Sequence, residues 1–201
     1  MISSLRTSVI GLVTMIVVAA AAPRAGWAQV EGSRTSVDQV SSDSLQTLLL
    51  AAEQGNAGAQ FSLGYMYDTG EGVPENDVEA VRWYRAAAEQ GNAGAQFNLG
   101  LMYATGEGVP ENDVEAVRWF RAAAEQGDAG GQFSLGYMYD TGEGVPENYV
   151  SAYAWLNLAA AQGVEGAREA KEDLSQRMTN EQVALAQKLS IVLLDKINPD
   201  G

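Results

Sequence analysis

A segment of 36 residues is written four times in this chain. Residues 51–86 and 87–122 differ at only four positions, a third copy covers 123–158, and a fourth begins at Ala159-Ala160-Ala161-Gln162-Gly163 before the sequence drifts. A unit this short encloses no core of its own. Each copy must be one supersecondary element that buries its apolar face on its neighbours, as helical solenoids do.

Within one copy, Asn56 follows Gly55 as a helix cap, and Ala59, Leu63 and Tyr67 fall at i, i+4 and i+8. Gly70 stands where a left-handed residue stops a helix, and Gly72-Val73-Pro74 forbids its resumption. Asn76 precedes Glu79 by three residues as a capping pair, after which Ala80, Trp83, Tyr84, Ala87 and Ala88 trace a second apolar face ending at Gly91. The pattern predicts helix, eight-residue turn, helix and a short glycine turn, with antiparallel helix pairs. Trp83, Trp119 and Trp155 recur in register and are assigned to the core, with Phe61, Phe97 and Phe133 beside them. The fold class is therefore all-α, a solenoid of antiparallel helix pairs.

The ends read differently. In residues 1–28, Arg6 precedes an uncharged apolar run at 9–22 and a small-x-small site at Gly26-Trp27-Ala28, the pattern of a cleaved export signal. That run is 14 residues, shorter than the roughly 20 that span a bilayer, so no stable membrane insertion is expected after cleavage. Residues 29–43 are polar and expected to be disordered. The repeat domain is 44–201: a half-repeat at 44–55, repeats at 56–91, 92–127 and 128–163, and a cap at 164–201. In the cap, Thr179 and Gln182 form a capping box for a last helix on which Leu185, Leu189 and Val192 share a face.

Composition removes most chemistry. The chain has no Cys and no His, hence no thiolate, no imidazole base and no structural zinc set, and neither a cofactor nor a metal is expected. Its formal charge is -14; without the first 28 residues, which hold Arg6 and Arg24 and no acid, 10 basic residues face 26 acidic ones, giving -16. Nucleic acid is disfavoured as a partner. Asp68-Thr69-Gly70 and Asp140-Thr141-Gly142 imitate the paired motif of aspartic proteases, but each ends a helix and Ala104 breaks the series. The turn carboxylates Glu71, Glu75 and Asp77 recur as Glu107, Glu111 and Asp113 and then as Glu143 and Glu147. They form an acidic stripe that serves solvation, attracts a basic segment or, last, binds a divalent ion weakly, although none of these turns has the ligand spacing of a calcium loop.

The strings Ala-Gln-Phe-Ser-Leu-Gly-Tyr-Met-Tyr at 59–67 and Gly-Glu-Gly-Val-Pro at 70–74, with Ala80, Trp83, Tyr84, Ala87, Ala88 and Gly91, resemble the Sel1-like repeat, a longer-turn relative of the tetratricopeptide repeat. The resemblance covers 44–201 and implies a right-handed superhelix whose first helices line a concave side that holds a protein or peptide. It also implies a bacterial, exported and most often periplasmic, non-enzymatic and monomeric scaffold or regulator. Some cysteine-rich secreted members are described as binding or hydrolysing β-lactams, which leaves a cell-wall (peptidoglycan or β-lactam) role as the alternative. This chain lacks every such cysteine.

Three of the four differences between the first two full copies, Ser62/Asn98, Tyr65/Leu101 and Asp68/Ala104, are spaced i, i+3 and i+6 on the first helix; the fourth is Tyr84/Phe120. Ser134, Tyr137 and Asp140 restore the first set in the third copy. These nine positions, Ser62, Tyr65, Asp68, Asn98, Leu101, Ala104, Ser134, Tyr137 and Asp140, are the expected partner-binding face. Drift of exposed positions after a recent duplication would produce the same pattern.

Overall fold

The computed structural model describes the backbone of residues 34–199 and side chains from 44 onward. The described residues form nine α-helices and no strand: α1 Arg34–Glu53, α2 Ala57–Thr69, α3 Asp77–Glu89, α4 Ala93–Thr105, α5 Asp113–Ala124, α6 Ala129–Thr141, α7 Tyr149–Ala161, α8 Ala167–Arg177 and α9 Asn180–Ile197. The chain divides into two units, Met1–Thr47 and Leu48–Gly201, with the three full repeats in the second. The export-signal reading of 1–28 lies outside the described residues. Of the segment 29–43 expected to be disordered, residues 29–33 lie outside the described residues, and α1 begins at Arg34; no Gly or Pro interrupts the sequence from there to Glu53.

Local chemistry sets the helix ends where the sequence places them. Asn56, Asn92 and Asp128 accept from Ala59 N, Ala95 N and Gly131 N at 2.9, 2.9 and 2.7 Å, satisfying an orphan amide at each start. Gly70 ends α2 with φ 71°, a conformation that a side chain makes costly. The following turn is closed by Asn76 N donating to Tyr67 O at 2.8 Å, and the same bond recurs from Asn112 to Tyr103 and from Asn148 to Tyr139.

Two contacts build the stack. Inside a repeat, a Cβ on Gly64 would lie 2.5 Å from the Tyr84 ring, so glycine lets α3 press its aromatic residue onto the α2 backbone; Gly100 receives Phe120 in the same way. Between repeats, Trp119 of α5 packs into the cluster of Ala80, Val81, Tyr84, Leu99 and Met102, and Trp155 of α7 into that of Ala116, Val117 and Phe120. Each of these tryptophans thus roofs the preceding repeat, and the core assignment holds. Their position has a cost, since Trp83 Nε1 and Trp119 Nε1 are buried without a hydrogen-bond partner. Arg82 and Arg118 cover the same rings at 4.9 and 4.7 Å.

A glutamine ladder, which the sequence pattern did not reveal, stitches the stack. Gln96 Nε2 donates to Ala88 O at 3.1 Å, and Gln96 Oε1 accepts from Gln126 Nε2 at 2.7 Å. The same arrangement joins Gln60 to Ala52 O and Gln90, and Gln132 to Ala124 O and Gln162. Gln60, Gln96 and Gln132 are buried, and each pays its desolvation through these bonds.

The third repeat is altered to accept the cap. Ala154 and Leu158 replace the Arg118 and Ala122 of the second copy, and both are buried where α9 lies on α7. Thr179 and Gln182 form the expected capping box. The face chosen for α9 needs correction: Leu185 and Val192 are 56% and 62% exposed, whereas Ala186 and Ser190 are buried. Small residues let α9 approach α7 closely, and Leu193 and Ile197, not Leu185, fill the space against Trp155 and Leu158.

Candidate interaction face

The nine expected residues all lie on α2, α4 and α6, but they are not equivalent. Tyr65 is 42% exposed. Leu101, Ala104 and Tyr137 are half-buried against the second core cluster, and Ser62 is half-buried with its hydroxyl donating to Gly58 O at 2.9 Å. Ser134 departs from expectation, being only 5% exposed, because α6 buries Phe133, Ser134, Leu135 and Gly136 as a continuous run. Tyr65, Leu101 and Tyr137 therefore remain as a row with side-chain surface to offer.

The other differences between copies belong to one hydrogen-bond network. Tyr84 Oη donates to Asp68 Oδ2 at 3.0 Å, and the Asn98 side chain of the next repeat faces the same hydroxyl. Tyr84 itself is fully buried. In the second copy Ala104 stands in place of the acceptor and Phe120 in place of the tyrosine, and the residue across the next seam is then Ser134. Three of the four differences thus change together because a buried hydroxyl needs partners and a buried phenyl ring does not.

Burial raises the Asp68 carboxyl above its ordinary value, the Tyr84 hydrogen bond opposes this, and Glu107, Asp77 and Glu75 add to the rise. Burial likewise raises Tyr84, as do the charge of Asp68 and the bond to it. Tyr137 is pushed up to about 12 by burial, with Glu143 and Asp140 contributing. The face is thus set in a negative field built by its own turns.

Asp140 is engaged from the cap. Arg177, at the end of α8, donates to Asp140 Oδ1, and its guanidinium lies 4.9 Å from the Tyr149 ring centroid. The two aspartates of the apparent protease pair therefore sit in separate networks, one with Tyr84 and one with Arg177, and share no proton. Among the described residues no group of three or more acidic side chains is arranged to hold a metal ion. No described helix is long and apolar enough to cross a membrane.

Comparison with known proteins agrees with this architecture. A Sel1 repeat protein from Oxalobacter formigenes is 42% identical, with 65% of this chain and 98% of that one aligned at a TM-score of 0.60. A protective antigen of uropathogenic Escherichia coli displaying the same repeat fold is 31% identical over 78% of this chain, TM-score 0.60; the match spans 41% of the antigen's length. The cysteine-rich protein B of Helicobacter pylori, 22% identical with 68% of this chain and 98% of that one covered, shares the fold at a TM-score of 0.52. No curated protein matches the chain. Proteins built from these repeats are generally non-catalytic scaffolds for protein interaction. The Sel1 repeat itself is matched three times in succession, at 57–92, 93–128 and 129–164, over the same units that the tryptophans and glycines stack together, and the chain belongs to the Sel1 repeat family.

Proposed function

We propose that this protein is a non-enzymatic scaffold or regulator of the bacterial envelope that holds a protein or peptide on the face formed by α2, α4 and α6. The row Tyr65, Leu101 and Tyr137 carries the reading. It is the one difference between copies that the internal network of Asp68, Tyr84 and Asn98 leaves unexplained, and Tyr65 keeps a rigid ring and a hydroxyl exposed, a residue type favoured as an interface anchor. Ser62, Asn98 and Ala104, half-buried on the same helices, flank the row, and Ser134 supports it from within the wall.

The test is cross-linking in intact cells followed by capture of the tagged protein. Tyr65→Ala combined with Tyr137→Ala should abolish recovery of the partner while leaving the helical melting transition nearly unchanged. Loss of the fold would assign those rings to the core, and undiminished capture would place the contact elsewhere. Export is tested separately by fractionation and N-terminal sequencing, with Gln29 expected as the first residue of a periplasmic, monomeric product. Uncleaved protein in the cytoplasm would remove the envelope from the reading.

A further inference from the structure

The stack begins on half a repeat, and the 36-residue register shows which half is missing. Leu48 and Ala51 of α1, with Gln54 just after it, align with Tyr84, Ala87 and Gln90 on the second helix of a full repeat. In the full repeat a first helix covers these positions. Tyr84 and Ala87 are completely buried, and Gln90 Nε2 donates to Gln60 Oε1 at 2.6 Å. In the half-repeat Leu48 and Ala51 are only half-buried. The exposed side chain of Gln54 makes no hydrogen bond among the described residues, whereas Gln90, Gln126 and Gln162 each bond a glutamine of their own first helix. The adjoining wall of α2 is open at the same place. Phe61 lies over Gly94 of the next repeat and Phe97 over Gly130, where a Cβ would sit 3.2 and 2.9 Å from the ring. Gly58 holds that place on α2, yet among the described residues a Cβ there would meet only Asn56 Oδ1 of its own cap, at 3.3 Å. Asn56 and Gly58 are accordingly exposed, while Asn92 and Gly94, then Asp128 and Gly130, are half-buried. The far end of the stack is closed by α8 and α9, both packed on α7.

We propose that this end seats an α-helix of a partner protein, which completes the half-repeat in trans. The interface it joins is the one already repeated along the chain, and that continuity fixes its chemistry. It brings a glutamine to accept from Gln54, an aromatic residue beside it to lie between Leu48 and Gly58, and a small residue three positions on to let Leu48 approach. This is the pattern of Gln60, Phe61 and Gly64, in which the Phe61 ring packs 5.9 Å from that of Tyr84 and Gly64 receives the tyrosine. A second copy has no such helix to spare, because α2, α4 and α6 are each packed on their own α3, α5 and α7. With the export signal removed as proposed above, residues 29–33 are all that precede α1, too few for a helix of this length. The seat lies at the end of the stack and does not depend on the row of Tyr65, Leu101 and Tyr137.

The probe is a fluorescent peptide of residues 92–105 of this chain, held helical by a staple on its outward side because a free helix of this length is marginal in water. Fluorescence anisotropy against the full-length protein should show saturable binding. Gly58→Leu fills the aromatic seat and should abolish it. The melting temperature of that variant should not fall, since Gly58 is an exposed helical position where leucine is the better helix former. Gln54→Ala removes a side chain with no bond to lose in the free protein and should weaken binding about threefold to tenfold. Phe97→Ala within the peptide should weaken it at least about tenfold, and Tyr137→Ala in the protein should change nothing. Binding indifferent to Gly58→Leu and Gln54→Ala would overturn the seat, as would no binding at millimolar protein. Binding that appears only once the residues before α1 are trimmed away would give the seat to the chain's own leading segment and overturn the partner.

Discussion

The Tyr84 hydroxyl reaches Asp68 across the α2–α3 pair at 3.0 Å, and where the next copy has Ala104 in place of the acid it has Phe120 in place of the tyrosine. Removing one partner strands the other in a buried place, at about 1–3 kcal/mol. Asp68→Ala alone should therefore be destabilising, whereas the joint exchange Asp68→Ala, Tyr84→Phe and Asn98→Ser reproduces the seam already made by Ala104, Phe120 and Ser134 and should restore most of the loss. Urea unfolding of the single and triple variants checks this. Additive losses would show that the three residues do not act together.

The same network gives stability a pH dependence of defined sign. Burial lifts the Asp68 carboxyl in the folded state above its ordinary 3.8. Its contribution is fully present below 3.8 and lost as pH rises through the folded value, because the charge is then forced into a partly desolvated site among Glu107, Asp77 and Glu75. The stability gap between the parent and the triple variant should shift toward the variant as pH rises from 4 to 7. A gap independent of pH would count against a raised Asp68.

Asp128 caps α6 where the other copies use Asn56 and Asn92, and burial raises its carboxyl although the Gly131 and Gly130 amides hold it down. Asp128→Asn keeps the cap and removes the desolvated charge. Thermal melts at neutral pH should show a gain of about 0.5–1 kcal/mol that disappears in acid. A loss at neutral pH would mean that the anion strengthens the cap more than its burial costs.

Trp119 is the roof of the first full repeat, so Trp119→Ala should cost about 3–5 kcal/mol and split one melting transition into two. Calorimetry distinguishes this from a uniform shift. A single sharp transition would argue that the repeats are coupled chiefly by other contacts.

Gln96→Leu would leave the Ala88 carbonyl and the Gln126 amide without their partner, and a loss of about 1–3 kcal/mol is expected in urea. An unchanged midpoint would show that water serves both groups equally well.

The fold was legible because each repeat spells out its own boundaries: Asn56 and Asn76 as caps, Gly70 as the stop and Trp83 as the buried anchor are local signals repeated in register. The candidate face was legible only as a set of positions. Its logic depends on Tyr84, 16 residues beyond Asp68, and on Asn98 in the following repeat, and no local pattern joins them. Ser134 looked like Ser62 in sequence but is sealed by its neighbours. On α9, large apolar residues drew attention to Leu185 and Val192, while the contact was made by Ala186 and Ser190, whose small size is itself what permits the approach.

Trp119 and Trp155 meet neighbours of the same kind, and the glutamines bridge each junction alike, so these contacts alone would accept the first two copies in either order. The hydroxyl of Tyr84, bonded to Asp68 on its own repeat and faced by Asn98 on the next, is different. A duplication inserted at that junction, or an exchange of the two copies, would keep the Asp68–Tyr84 bond, which travels within one repeat, but would take the Asn98 side chain from beside it. With the Asp140–Arg177 pair where the third repeat meets the cap, that polar match gives repeats that otherwise stack alike a preferred order.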